Sequence, residues 1–125
     1  MRILVVDDDT IAGEMTVAVL EELGHEAILA GDGVDAVGRI NTDDGLEMII
    51  SDMNMPLVSG IDLFHALREQ GCTLPFILLT GDEPEALLAL EPRIDACLTK
   101  DFSLGEVLPQ VLNEVLARHD RTQHP

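Results

Sequence analysis

The chain has 125 residues and a mass of 13.6 kDa, the size of one domain that buries roughly two thirds of its unfolded surface without metal or disulfide staples. An apolar content of 46% excludes a disordered tail, so the net charge of -17 sits on a folded surface. That charge excludes nucleic acid as a direct ligand, because the arginines are scattered and form no basic patch.

Short apolar runs alternate with helical stretches along the chain. RILVV at 2 to 6, EAILA at 26 to 30, EMIIS at 47 to 51, PFILLT at 75 to 80 and ACLT at 96 to 99 read as strands. Their near-continuous apolarity predicts burial on both faces, as in a parallel sheet. After the first strand, Ile11, Met15, Val19 and Leu23 recur every four residues as a helical stripe, with Thr10 as N-cap and Gly24 as the stop. Further helices are expected over Gly33 to Ile40 and Ile61 to Gln70, the latter turning Leu63, Phe64 and Leu67 inward. A short one follows at Glu85 to Leu90, between Pro84 and Pro92. The last begins at Ser103, where Glu106 completes a capping box, and runs to about Arg118; Pro109 should bend it, with Gly105 easing the clash at i−4. Residues 1 to 118 make the domain, and 119 to 125 a frayed polar tail or the start of a linker.

Five strand and helix units in alternation predict an α/β fold, an open doubly wound sheet with right-handed crossovers. Ligands of such sheets bind beyond the carboxyl ends of the strands. There the sequence concentrates its chemistry: Asp7, Asp8 and Asp9 after the first strand, Asp52 after the third, Thr80 after the fourth and Lys100 after the fifth. Carboxylates gathered at one edge repel unless something positive joins them. Oxygen donors without His or Cys describe a Mg²⁺ site better than a zinc site. Lys100 is the only lysine of the sequence, which suggests a charge with a local task. Cys72 and Cys97 have neither metal-ligand spacing nor the density of a secreted scaffold, and read as free thiols of a cytoplasmic protein. No apolar run approaches the length of a membrane span.

The constellation resembles the CheY-like receiver domain of two-component response regulators over essentially the whole chain. The matching residues are the Asp7-Asp8 pair after ILVV, Asp52 in DMNMPLVSG with Pro56 and Gly60, Thr80 after FILL, Lys100 in LTKDF, and DGVDA at 32 to 36. The resemblance implies a flavodoxin-like five-stranded parallel sheet of order 2-1-3-4-5, flanked by five helices. It implies that Asp52 accepts a phosphoryl group from a histidine kinase or histidine phosphotransferase and switches a protein-interaction surface. Asp7, Asp8, Asp52 and the backbone carbonyl of Asn54 would hold Mg²⁺, while Thr80 and Lys100 would bond the phosphoryl oxygens. The protein would then be no enzyme beyond its own phosphotransfer and dephosphorylation. Asp82 would tune the attack of water on the phosphoryl group.

Two rival readings have their own residues. VVDDDTI also resembles the opening motif of haloacid-dehalogenase-type phosphatases, with Asp7 as nucleophile and Asp9 as acid. A receiver-like binding module that takes no phosphate is the other, prompted by departures from the family pattern. Cys97 stands where the family usually carries an aromatic ring, so no ring rotation can signal there. Asp101 stands where a cis proline is usual; a cis bond before a non-proline costs about 3 kcal/mol, so a trans bond is expected, with a negative charge beside Lys100. The interval from Thr80 to Lys100 is short for the family, which predicts an abbreviated fourth helix and an unusual output face, with a different dimer or none. As no output domain follows the fifth helix, the chain is expected to act alone on a partner or to be a fragment of a longer regulator.

Overall fold

The computed structural model describes residues 1–81, 83–101 and 103–123, the last four by their backbone. Five strands, β1 (Arg2–Val6), β2 (Glu26–Ala30), β3 (Met48–Asp52), β4 (Phe76–Thr80) and β5 (Ala96–Thr99), alternate with five helices. These are α1 (Thr10–Glu22), α2 (Gly33–Thr42), α3 (Gly60–Glu69), α4 (Pro84–Leu90) and α5 (Leu104–Gln123). The strands form one parallel sheet in the order β2-β1-β3-β4-β5, as the resemblance implied.

Both faces of the sheet are covered, which is why its strands are apolar at successive rather than alternate positions. Leu4, Val6, Ile49, Phe76 and Leu78 point to one core with Leu63, Phe64 and Leu67 of α3. Ile3, Val5, Ile50, Ile77 and Leu79 point to the other, with Leu20 of α1 and Leu104, Leu108, Leu112 and Val115 of α5. All five residues of β3 and of β4 are buried, so the middle of the sheet is its most rigid part. Asp52 and Thr80 end those two strands.

Several local expectations give way to tertiary packing. The first half of the α1 stripe faces outward, with Ile11 74% and Met15 66% exposed, whereas Val19 packs against the core and Gly13, Thr16 and Leu20 are buried. At Gly13 the helix lies too close to the sheet for a side chain, since a Cβ there would sit 2.6 Å from Leu29 Cδ1 and 3.3 Å from Asp7 Cβ. The N-cap of α1 is Asp9 rather than Thr10; its Oδ1 accepts from the N–H groups of Ile11 (3.1 Å) and Ala12 (3.2 Å). The capping box belongs to α3, between Ser59 and Asp62. At α5 the Ser103 hydroxyl instead donates to Asp101 Oδ1 at 2.5 Å. The α5 helix keeps Pro109 within it and continues past Arg118 to Gln123. Its last turns are tied to the sheet, Arg118 Nη2 donating to the Asp95 carbonyl (2.7 Å) and His119 Nε2 lying 2.8 Å from Asp95 Oδ1. The α4 helix has seven residues and buries none of them.

Candidate functional site

The ends of β1, β3, β4 and β5 bring Asp7, Asp8, Asp52, Thr80 and Lys100 to one edge of the sheet. Asp7 follows β1 directly, with its N–H donating to the Ala30 carbonyl at 3.0 Å, so the strand pairing itself aims it. Its carboxylate is 2% exposed and fully engaged: Oδ1 accepts from the Asp9 N–H (2.9 Å) and Oδ2 from Lys100 Nζ (2.6 Å). Asp52, 6% exposed, lies with Oδ2 3.5 Å from the same ammonium. Asp8 is exposed, and carboxylate oxygens of Asp7, Asp8 and Asp52 lie within 4.8 Å of one another. Among the described residues this is the only trio of metal-ligating side chains so placed.

The charges decide how the edge behaves. Burial lifts the Asp52 carboxyl above its usual range; Lys100 opposes the rise, Asp7 reinforces it, and the Asn54 N–H again opposes it by donating to the carboxylate. Burial works against the Lys100 ammonium, but the Asp7 hydrogen bond and the charges of Asp52 and Asp7 outweigh it and raise its pKa. At neutral pH a single ammonium therefore faces three acidic groups, and the edge is short of positive charge. Hard oxygen donors with a charge deficit suit a divalent cation such as Mg²⁺.

The loops around the edge are shaped by close approaches. Gly60 N donates to the Met53 carbonyl at 2.9 Å, and a Cβ there would meet Leu78 Cδ1 at 2.4 Å and the Asp52 carbonyl at 2.6 Å. Only glycine lets α3 start so near Asp52. Met55 belongs to the core and Met53 packs against it, in keeping with loop packing rather than ligation. Leu57 adopts φ 70, a left-handed conformation that costs a leucine about 1 kcal/mol or more. On the other side, Lys100 N donates to the Thr80 carbonyl at 2.7 Å, which locks the β5–α5 loop onto the end of β4. Thr80 is fully buried and Gly81 beside it is exposed.

The sequence-predicted residues separate into those assembled here and those occupied elsewhere. Asp7, Asp8, Asp52 and Lys100 meet, but Lys100 sits closer to Asp7 than to Asp52, a preference that strand ends alone could not reveal. Asp9 is turned to α1 as its cap, so it does not face Asp7 as the acid of a phosphatase pair would. Asp101 is also turned away: its Oδ1 accepts from Ser103 N (2.8 Å), and the Ser103 bonds hold its pKa below the ordinary carboxylate value. No cis peptide bond occurs among the described residues. Cys97 is buried, which pushes its thiol up to about 11. Asp82 lies outside the described residues. The close approach of Gly13 to Asp7 was missed; a glycine inside a helical pattern was its signal.

Residues 3–112 match the family model described as the response regulator receiver domain. A probable transcriptional regulatory protein of Picosynechococcus is 37% identical over 115 residues, covering 86% of this chain and 46% of that protein. The sensor histidine kinase RcsC of Escherichia coli is 37% identical over 114 residues, covering 90% of this chain and 12% of the kinase. The chain thus spans less than half the length of these curated relatives. Among solved structures, the Thermotoga maritima response regulator TrrA in complex with Mg²⁺-BeF superposes with a TM-score of 0.79 at 28% identity, covering 90% of this chain and 96% of that one. With this fold, this acidic edge and these relatives, the chain belongs to the response regulator receiver domains of two-component signalling.

Proposed function

We propose that Asp52 is a phosphoacceptor, loaded by a histidine kinase or histidine phosphotransferase in a Mg²⁺-dependent reaction that switches a protein-interaction surface. The observation that carries this reading is the Asp52 carboxylate at the end of a fully buried strand, with an ammonium 3.5 Å from one oxygen and two further carboxylates beside it. A rigid strand fixes the direction of attack, which an in-line displacement requires.

The step balances simply. A carboxylate oxygen of Asp52 forms a bond to phosphorus as the donor's P–N bond breaks, and the imidazole nitrogen keeps the electron pair and takes a proton. Lys100 releases Asp7 as charge develops on the phosphoryl oxygens, and the Thr80 hydroxyl donates to one of them. Asp7, Asp8, Asp52 and the Asn54 carbonyl would hold the cation. When bound it supplies the positive charge that the edge lacks, and lowers the cost of bringing a dianion to three carboxylates. On this reading the chain is an acceptor that catalyses its own phosphotransfer and dephosphorylation, not an enzyme acting on other substrates. ATP-fed kinases and reduced free cysteines both fit the cytoplasm.

Intact-mass spectrometry after incubation with Mg²⁺ and acetyl phosphate tests the proposal. One added phosphoryl group, absent in Asp52→Asn, is expected; an unchanged native mass would overturn phosphoacceptance and leave a binding module.

A further inference from the structure

Among the described residues, three carboxylate side chains are buried: Asp7 and Asp52 of the acidic edge, and Glu91, which lies outside it. Glu91 follows α4 as its C-cap, and both of its oxygens are taken up. Oε1 accepts from Arg93 Nη2 at 2.6 Å and lies 2.6 Å from His65 Nε2 of α3. Oε2 accepts from Arg93 Nε at 3.0 Å and from its backbone N–H at 3.3 Å. The Arg93 bonds, then that of His65, hold the Glu91 pKa down at about 2, so the group is ionised and can only accept hydrogen bonds. The ring nitrogen facing it must carry the hydrogen: His65 Nε2–H donates to Glu91, and in the neutral ring the lone pair lies on Nδ1. The His65 side chain is 45% exposed and that of Glu91 9%, so a buried carboxylate holds a ring that is open to solvent.

Two guanidinium groups meet the same corner. The His65 ring centroid is 5.9 Å from that of the buried Phe64, and the Cζ atoms of Arg68 and Arg93 lie 4.6 Å and 5.5 Å from the Phe64 centroid. Arg93 is matched by Glu91, whereas Arg68 bonds the Cys72 and Leu74 carbonyls (both 2.9 Å), neutral partners that leave its full charge in place. An oriented imidazole, a carboxylate behind it and positive charge beside it are the parts of a nucleophilic site for an anionic electrophile. In a chain of net charge -17, that local positive charge decides where a dianion can approach.

We propose that His65 is a second phosphoacceptor, taking a phosphoryl group on Nδ1 from a donor with a P–N bond, with Glu91 as its positioning residue. The Nδ1 lone pair forms a bond to phosphorus as the donor's P–N bond breaks, and the departing nitrogen keeps the electron pair of that bond together with its own protons. The ring becomes cationic with Nε2–H still on Glu91, whose charge offsets it. One P–N bond replaces another, so the step needs no further energy source. Arg68 and Arg93 lower the cost of bringing the phosphoryl dianion to the corner. The site goes beyond the Asp52 reading and does not depend on it.

Incubation of the full chain and of Asp52→Asn with phosphoramidate, followed by mass spectrometry with fragmentation, tests the site. An aspartyl phosphate is lost in alkali, whereas phosphohistidine survives alkali and is lost in acid, so alkali treatment isolates the histidine label. One alkali-stable phosphoryl group on His65 is expected in both proteins, absent in His65→Gln and formed about tenfold more slowly in Glu91→Gln. No such label in the native protein, a label spread equally over the other histidines, or an unchanged rate in a folded Glu91→Gln protein overturns the proposal. Should Glu91→Gln fail to fold, nitrogen NMR of the native His65 ring decides: a proton on Nε2 of the neutral ring is expected, and one on Nδ1 overturns the site. Loss of the alkali-labile label alone would count against Asp52 and leave His65 standing.

Discussion

Replacing Lys100 by Met keeps the length of the side chain and removes the one positive charge at the acidic edge. At an effective dielectric constant of about 20, its attraction to Asp7 at 2.6 Å amounts to about 6 kcal/mol and to Asp52 at 3.5 Å to about 5 kcal/mol. Desolvation of three charged groups offsets most of this, and removing one partner of a buried pair costs about 3–5 kcal/mol. The Lys100 side chain remains 24% exposed, so the low end applies, about 3 kcal/mol. For a domain of this size that lowers Tm by about 10 °C. The pH dependence follows from the shifts. Lys100 has a raised pKa in the folded state, so its stabilisation is complete below its unfolded pKa and fades only in alkali. Asp52 has a raised pKa too, so the folded state favours its neutral form, and stability falls as pH rises through the folded value. Without Lys100 the rise of the Asp52 pKa is less opposed, so the loss should be smaller below the ordinary carboxylate range, near about pH 3, than at about pH 7. Urea unfolding of both proteins across this range measures it. A loss under about 1 kcal/mol at pH 7, or one independent of pH, would refute the electrostatic account of the edge.

Asp9→Ala should cost about 1 kcal/mol of stability through the lost cap of α1, read by urea unfolding, and leave acetyl phosphate labelling of Asp52 intact. Loss of labelling in a folded Asp9→Ala protein would show that Asp9 works at the edge. Gly60→Ala forces a Cβ to 2.6 Å from the Asp52 carbonyl, a backbone group that cannot swing aside. About 3 kcal/mol is the expected cost in thermal unfolding, and a variant with unchanged Tm would show that the loop shifts freely.

Much of the fold was legible because a parallel sheet writes itself locally. RILVV, EAILA and ACLT match β1, β2 and β5 residue for residue, and Asp52, Thr80 and Lys100 stand where apolar runs stop. What the sequence misplaced lies where packing overrides periodicity. The four-residue stripe of α1 implied a buried face, yet the helix turns Gly13, Thr16 and Leu20 inward, and at Gly13 contact with Leu29 and Asp7 leaves no room for a side chain. The expected end of α5 near Arg118 reflects a tail without apolar residues; Asp95, distant in sequence, supplies the bonds that the tail lacks.

The sequence by itself determined which groups reach the edge, since each strand end places one chemically distinct residue there and the alternation of strands and helices leaves few topologies. Only the tertiary structure decided how those groups divide their bonds. Lys100 chooses Asp7 over Asp52. Asp9 and Asp101 turn to helix starts instead of the metal edge. Glu91, one acid among 24, is buried at the end of α4 with its oxygens bonded by Arg93. A carboxylate's role depends on distances to donors far along the chain, and those distances exist only once the sheet has closed.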